Sequence, residues 1–498
     1  MRDLQTLFLL AVGFSTVSVA KPTAQPRCPT NDLEIQTSSG VVFGAINGIT
    51  PRVRAFLGIP YAEPPVGPLR WLPAIALNST NRTINASQFG PSCPQNYALR
   101  DIYSTEIPEF LVDGPMSEDC LSLSVWAPAN PKNTSLPVFI WIHGGGFNFG
   151  SASVPYQIPA KWVQRTQSHI VVSIQYRLNI LGFPNAAGLE HNNLGLMDQR
   201  LAIEWVQHNI KSFGGDPQHM VLWGQSAGGN SVQIQNYAYP NDPIVNGFIS
   251  DSGSEFLPGY SPDLTQTNFS SVARIFDCSY PENATATLDC MRRINTTALT
   301  DVVKANGSSP YSFIPVPDEV IVFSNYTARA FANQLSSRPA IYGSTLNETT
   351  SLVPFPADPL TSSLNLTLVE KLNAVTFICP QRQSSQVRQA VSRKTYRYRY
   401  HGNFANISPL PWLGAYHCSE LPLIFGTEGD YRGPATSLEA ATSKAMQDRW
   451  LAFAKDPDHG LEEMGWMDYS SGNVETFAAD GIAVQDAPVS NVDALCPT

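Results

Sequence analysis

Apolar residues fall along the chain in two rhythms. Short runs with little polar interruption recur at Pro137–Ile142, Ile170–Tyr176 (IVVSIQY), Met220–Trp223, Gly247–Ser250 and Ala340–Tyr342. Runs that lack the wet/dry alternation of a surface strand mark strands covered on both faces, as in parallel sheets. Between them, Leu196–Phe213 places Ala202, Trp205, Val206 and Ile210 on one helical face. This alternation of strand and helix from about residue 136 to 255 predicts a mainly parallel sheet with helices on both faces. Val41–Ala62 reads as paired N-terminal strands, and Thr395–Tyr400 (TYRYRY), alternating aromatics with arginines, as a half-exposed strand. The last hundred residues predict one clear helix, Ser443–Lys455, and then a weakly patterned tail to Cys496.

Candidate chemistry lies where these runs end. Met220–Trp223 gives way to Gly224-Gln225-Ser226-Ala227-Gly228, followed by small residues able to start a helix. Strand, sharp turn and helix in that order make a G-x-S-x-G nucleophile elbow, in which the glycines let strand and helix crowd together and the serine is left exposed. Upstream, the strand Pro137–Ile142 runs into His143-Gly144-Gly145-Gly146-Phe147. Acyl transfer needs backbone N–H groups aimed at a developing oxyanion, and a glycine loop of this type lets the backbone approach the substrate. An elbow serine also needs a base, and the base a carboxylate, in chain order Ser, Asp or Glu, His. Three histidines lie well beyond the elbow and the later strands: His401 ends the TYRYRY strand, His459 sits in the turn Asp456–Gly460, and His417 lies in Gly414–Glu420.

Phe213–Gly228, with the pattern F-G-G-x4-M-x-L-x-G-x-S-A-G, resembles the serine signature of type-B carboxylesterases, the family of cholinesterases and fungal lipases. Gly58–Trp71 (GIPYAEPPVGPLRW) and Ser117–Trp126 (SEDCLSLSVW) are similar to two further stretches of that family. Gly414–Glu420 resembles its G-x-x-H-x-x-E, and Gly343–Glu348 its G-x-N-x-D-E-G, with Thr345, Asn347 and Thr349 departing from the pattern. The resemblance implies an α/β-hydrolase fold: a large, mainly parallel central sheet, helices on both faces, and helical or loop insertions over the active site. It implies Ser226 as nucleophile, His417 as base and Glu348 as acid, and Gly145, Gly146 and Ala227 as oxyanion donors; because the match around Glu348 is imperfect, Asp358 and Glu370 stand as alternative acids. It also implies ion pairs Arg70–Glu118 and Arg177–Asp198, and disulfides Cys93–Cys120, Cys278–Cys290 and Cys379–Cys496, leaving Cys28 and Cys418. The loop closed by Cys93 and Cys120 carries Tyr97, Leu99, Ile102, Tyr103, Ile107, Phe110 and Leu111, enough apolar surface to roof a pocket.

Composition narrows the setting. With 498 residues, 43% hydrophobic and 14% charged, the chain can bury a large core. A net charge of −10 with no basic stripe argues against a nucleic-acid partner. Met1–Ala20 reads as a secretory signal, too short in its apolar centre to span a bilayer, and no later segment reads as transmembrane. Residues 21–498 are then expected to form a single domain, with a pocket-bordering insertion at about 256–335. Eight cysteines suit an oxidising compartment, and so do sequons at Asn78, Asn81, Asn85, Asn133, Asn268, Asn283, Asn295, Asn306, Asn325, Asn365 and Asn406. A twelfth sequon, at Asn347, adjoins Glu348 and is expected to stay unmodified, because a glycan there conflicts with a closed triad. No Cys/His cluster has ligand spacing, so no metal or cofactor is expected.

Cholinesterases of the resembled family keep a glutamate before the nucleophile and a tryptophan in the first disulfide loop. Here Gln225 stands in the first place and the loop has no Trp, which disfavours choline esters. The expected activity is that of a secreted serine carboxylic-ester hydrolase working through an acyl-enzyme on small-molecule or lipid esters. A triacylglycerol lipase is the alternative within that class, and a catalytically silent binding or adhesion module the alternative outside it. Oligomeric state has no signal in the sequence.

Overall fold

The structure, a computed structural model, describes residues 30–497 except 80, 97–101, 113, 130–134, 259, 304–310, 355–357 and 359–363. The expected signal at 1–20, together with Cys28, Tyr97, Leu99, Asn133 and Asn306, lies outside the described residues.

One sheet of eleven strands organises the chain. In sequence the strands are β1 (Ala45–Ile46), β2 (Val53–Pro60), β3 (Ser122–Pro128), β4 (Leu136–Ile142), β5 (Ile170–Ile174), β6 (Gly215–Gln225), β7 (Gly247–Asp251), β8 (Ala340–Thr345), β9 (Thr395–Tyr400), β10 (Asn473–Ala479) and β11 (Ile482–Pro488). Their spatial order is β11-β10-β9-β8-β7-β6-β4-β5-β3-β2-β1. The seven strands from β10 to β5 run parallel, and antiparallel pairs close both ends: β10 with β11 at one, and β5 with β3, β3 with β2 and β2 with β1 at the other. A separate small sheet joins Glu34–Thr37, Gly40–Phe43 and Thr83–Asn85.

Successive residues of the central strands point to opposite faces, and both faces are dry. Val138, Ile140 and Ile142 enter one core with Val172, Leu222 and Phe248, against the helices Leu194–Asn209 and Ala227–Ala238. Phe139 and Trp141 enter the other with Val171, Trp223 and Ile249, against the helix Ser437–Lys455 and its Met446, Trp450 and Phe453. This double covering is why the sequence shows apolar runs with no solvent face.

The structure departs from the sequence reading in three places. All six residues of β9 are buried, its arginines included: Arg397 pairs with Asp493 at 2.9 and 3.0 Å, and Arg399 donates to the Leu346 carbonyl. The tail is ordered into the hairpin β10–β11, turning at Asp480 and Gly481 with φ of 53° and 76°. The region 256–335 is helical in part, at Thr267–Ile275, Ala284–Met291, Thr296–Val302 and Tyr326–Phe331. It helps build a third core with Trp71, Ile180 and Leu194, and none of its described residues lines the cavity described below.

Both buried ion pairs are bidentate. Arg70 reaches Glu118 at 2.8 and 2.5 Å, and Arg177 reaches Asp198 at 2.7 and 2.7 Å. Disulfides join Cys93 to Cys120, Cys278 to Cys290 and Cys379 to Cys496, while the Cys418 thiol is free and buried. Among the described residues, no helix is long and apolar enough to cross a membrane.

Candidate active site

The turn after β6 puts Ser226 at φ 56° and ψ −122°, directly before the helix Ala227–Ala238. An L-residue rarely adopts positive φ, so the surrounding contacts must hold it there. They are tight: a Cβ added to Gly224 would lie 2.5 Å from the Gly228 backbone, and one added to Gly228 would lie 2.0 Å from the Ile142 carbonyl oxygen. The Ser226 N–H donates to Asp251 O at 2.8 Å, which ties the elbow to the end of β7.

β4 ends at Ile142 and passes into the glycine loop. Gly145 (φ 105°) and Gly146 (φ 60°) take backbone conformations that favour glycine, and a Cβ at Gly145 would meet Phe149 O at 2.1 Å. Their N–H groups donate to no protein acceptor among the described residues. The Ala227 N–H is one of the unsatisfied amides that begin any helix. His143 is stacked on Tyr176 with ring centroids 4.6 Å apart, and burial holds its pKa down at about 4. It is therefore neutral, donating from Nδ1 to Gly144 O at 2.9 Å. Gln95 braces the far side of the loop, accepting from Gly150 N and donating to Gly150 O, both at 2.9 Å.

Glu348 follows β8 and is fully buried. Its Oε1 accepts from Ser252 Oγ at 2.6 Å and from the Thr345 N–H at 2.8 Å, and its Oε2 faces His417 Nδ1 at 2.6 Å. With Nδ1–H donating to Glu348, Nε2 is the acceptor nitrogen of the ring. The amide of Gln225 lies 3.1 Å from that Nε2. Ser226 Oγ makes no hydrogen bond to His417 among the described residues, although both side chains line the same cavity. The alternative acids Asp358 and Glu370 are exposed. His459 is also exposed, and the His401 ring has Arg399 and Asp480 as its charged neighbours and does not line the cavity described below, so neither joins this group.

The loops carrying Glu348 and His417 are stitched together by Asn347. Its N–H donates to Ala415 O at 2.8 Å, and its Oδ1 accepts from Ala415 N at 3.1 Å. Tyr103, from the Cys93–Cys120 loop, donates its hydroxyl to His417 O at 3.0 Å and lies 2.9 Å from Ser351 Oγ. Phe377 packs on the His417 ring at 5.0 Å. Beside the base, burial raises the Cys418 thiol well above its ordinary range, so it stays protonated. Two further carboxyls lie beneath. Asp251 takes Trp223 Nε1 at 2.5 Å and Tyr398 OH at 2.9 Å, and burial raises it to about 7. Glu420 is raised well above the carboxylate range, by burial first and then by Asp251 and Glu348.

A cavity of about 260 Å³ opens over this group. Gly144, Gly145, Gly146, Ser226 and His417 form its reactive side, and Tyr103, Phe110, Leu111, Phe149, Val154 and Leu352 much of the rest. Sequence reasoning did not single out Ser252, Gln95, Tyr103's contact with the base, or Gln225's approach to it. Ser252 stands in Asp251-Ser252-Gly253-Ser254 directly after the run Gly247–Ser250, with nothing local to say which acid it serves.

The family model described as the carboxylesterase family matches residues 31–365 and 356–481. A chlorogenic acid esterase of Aspergillus niger is 44% identical, over 98% of this chain and 99% of that protein. Secreted lipase 5 of Gibberella zeae is 39% identical, over 92% and 91% respectively. The cholinesterase of Mus musculus is 28% identical, over 91% and 82%. A mixed eleven-stranded sheet covered on both faces, an elbow serine over it and this breadth of similarity lead to one assignment: the chain belongs to the carboxylesterase family and is a carboxylic ester hydrolase.

Proposed function

We propose that hydrolysis proceeds through Ser226, His417 and Glu348 by way of an acyl-enzyme. The observation that carries this reading is the 2.6 Å bond from His417 Nδ1 to a buried Glu348, on the wall of the cavity that also holds Ser226. Glu348 fixes the tautomer, so Nε2 is free to take a proton once Ser226 Oγ replaces the Gln225 amide beside it. The alkoxide attacks the ester carbonyl, and the N–H groups of Gly145, Gly146 and Ala227 receive the oxyanion. His417 returns its proton to the departing alcohol, and water, activated by the same nitrogen, cleaves the acyl–serine bond. Cys418 takes no part, since its thiol is held protonated.

Export through a cleaved signal at 1–20 is part of the same reading, supported by the three disulfides and by the similarity to a secreted lipase. So is glycosylation of exposed sequons. A soluble ester with a single acyl group suits a cavity at the small end of ligand pockets, and chlorogenic acid is the first substrate to assay. Triacylglycerol hydrolysis is the second reading, favoured by the 39% identical lipase.

A fluorophosphonate probe on the purified protein tests the mechanism. Ser226 is expected as the labelled residue, and Ser226→Ala to lose both label and ester hydrolysis. Labelling at another residue, or full activity in Ser226→Ala, removes the proposal. Activity on a triglyceride emulsion that rises steeply above the solubility limit decides for the lipase.

A further inference from the structure

Gln157 breaks the apolar wall of the cavity. It lines the cavity yet is only 7% exposed. Its Oε1 accepts from the indole Nε1 of Trp141 at 3.2 Å. An indole N–H can only donate, so this bond fixes the carboxamide: the carbonyl end faces Trp141 and the NH2 end is left for the cavity. That Nε2 has no acceptor among the described residues. Both partners are rigidly held, Trp141 inside β4 and Gln157 at the end of the turn Pro155–Gln157.

Outside the reacting serine and the glycine-loop amides, the side-chain donors on the wall are committed, and His143, which donates from Nδ1 to Gly144 O, offers only an acceptor at Nε2. The Tyr103 hydroxyl is engaged with His417 O and Ser351, and the Gln225 amide with His417. An amide oriented by Trp141, placed on a cavity wall and without a protein acceptor is a donor open to the ligand. The surrounding surface says what else the ligand carries. Tyr103, Phe110 and Phe149 offer ring edges and faces, which favour an aromatic group.

We propose that Gln157 is a specificity-determining residue that donates a hydrogen bond to an oxygen substituent on an aromatic acyl group. The enzyme then prefers hydroxylated or methoxylated aryl-acyl esters over the unsubstituted aryl esters and over plain alkanoyl esters. We assign the donor to the acyl half because that half stays in the cavity as the acyl-enzyme after the alcohol has left. The inference rests on the Ser226 mechanism for where the bond is cut. An alkyl chain in the same place would leave the Gln157 amide unpaired, which is how a site built to hydrogen-bond a substrate rejects an analogue lacking the group.

The test is a selectivity ratio measured on the full-length purified protein. Values of kcat/KM are determined for methyl cinnamate, methyl 4-hydroxycinnamate and methyl 4-methoxycinnamate, in the parent, Gln157→Leu and Gln157→Met. The parent is expected to favour both oxygenated esters by about 10-fold, the yield of one neutral hydrogen bond. In both variants the ratio falls to about 1. A ratio taken within one preparation does not depend on the folded fraction, so a partly unfolded variant still reports. A parent ratio near 1, or a ratio unchanged in both variants, overturns the proposal. The Ser226 mechanism is scored separately by probe labelling and p-nitrophenyl butyrate hydrolysis in Ser226→Ala. Its failure is therefore distinguishable from failure of the Gln157 assignment.

Discussion

The carboxamide of Gln225 lies 3.1 Å from Nε2 of His417, the nitrogen that the Glu348 bond on the opposite side leaves as acceptor. The same side chain packs against the glycine loop: a Cβ on Gly144 would meet Gln225 Oε1 at 2.7 Å. One residue thus touches both the base and the oxyanion loop.

Placing a negative charge there changes the titration of the reaction. In Gln225→Glu the added carboxylate favours the protonated imidazole, and a base must be unprotonated to work. The acidic limb of kcat/KM is expected to move to higher pH by about one unit. Gln225→Ala removes the competing amide and should leave that limb in place. Initial rates on one soluble ester from pH 4 to 9 check both outcomes.

Glu348 is held by two donors besides His417, and those donors have different weights. Glu348→Gln disturbs the tautomer of the base and is expected to lower kcat by about 10³–10⁴-fold. Ser252→Ala removes only the 2.6 Å bond that aims the carboxylate, and should cost about 10-fold in kcat with little change in KM. Probe labelling should be slowed in the same order, which separates misorientation from unfolding.

Acid sensitivity has an identifiable source outside the catalytic group. His169 is buried between Phe139 and Trp162, and burial lowers its pKa from 6.5 to about 3. The unfolded chain binds a proton at His169 below about 6.5 while the folded chain does not, so stability is lost as pH falls through that window toward 3. His143 adds to the loss between 6.5 and about 4. His169→Phe keeps the aromatic packing and removes the titration. Its melting temperature should fall less than the parent's between pH 6.5 and 4, by the equivalent of a few kcal/mol.

The sequons are expected to sort by what each asparagine already does. Asn283, Asn295, Asn325 and Asn365 are exposed, and each spends its Oδ1 on a following helix N–H, leaving Nδ2 outward. Asn406 is buried and donates its Nδ2 to Glu428 O and Glu439 Oε1. Glycopeptide mapping of secreted protein should find the first four occupied, and Asn406 and Asn347 bare. Occupancy at Asn347 in active protein would count against Glu348 as the acid.

What the sequence made legible was local. The elbow, the glycine loop and Gly414–Glu420 each pack their chemistry into a few residues, because a sharp turn or a close approach needs particular residues at fixed offsets. Ser252 and Gln95 act across 96 and 55 residues, and no short pattern records such a contact. Two further features carry local signals of their own. Asp480-Gly481 is a two-residue hairpin turn, and Thr436 with Glu439 forms a capping box that starts the last long helix at Ser437, six positions before Ser443, where an apolar pattern is weak. The arginines of TYRYRY look solvated in isolation, since a charge is buried only with a partner and theirs lie far along the chain.

That last pairing sets a schedule for biosynthesis. Arg397 sits at 1% exposure inside a parallel strand, and its counter-charge, Asp493, leaves the ribosome 96 residues later. Cys379 likewise waits 117 residues for Cys496. Until those residues emerge, the growing chain has neither the counter-charge of Arg397 nor the thiol that closes on Cys379. The far edge of the sheet is therefore completed only once Asp493 and Cys496 have left the ribosome, and chaperone dependence should concentrate there.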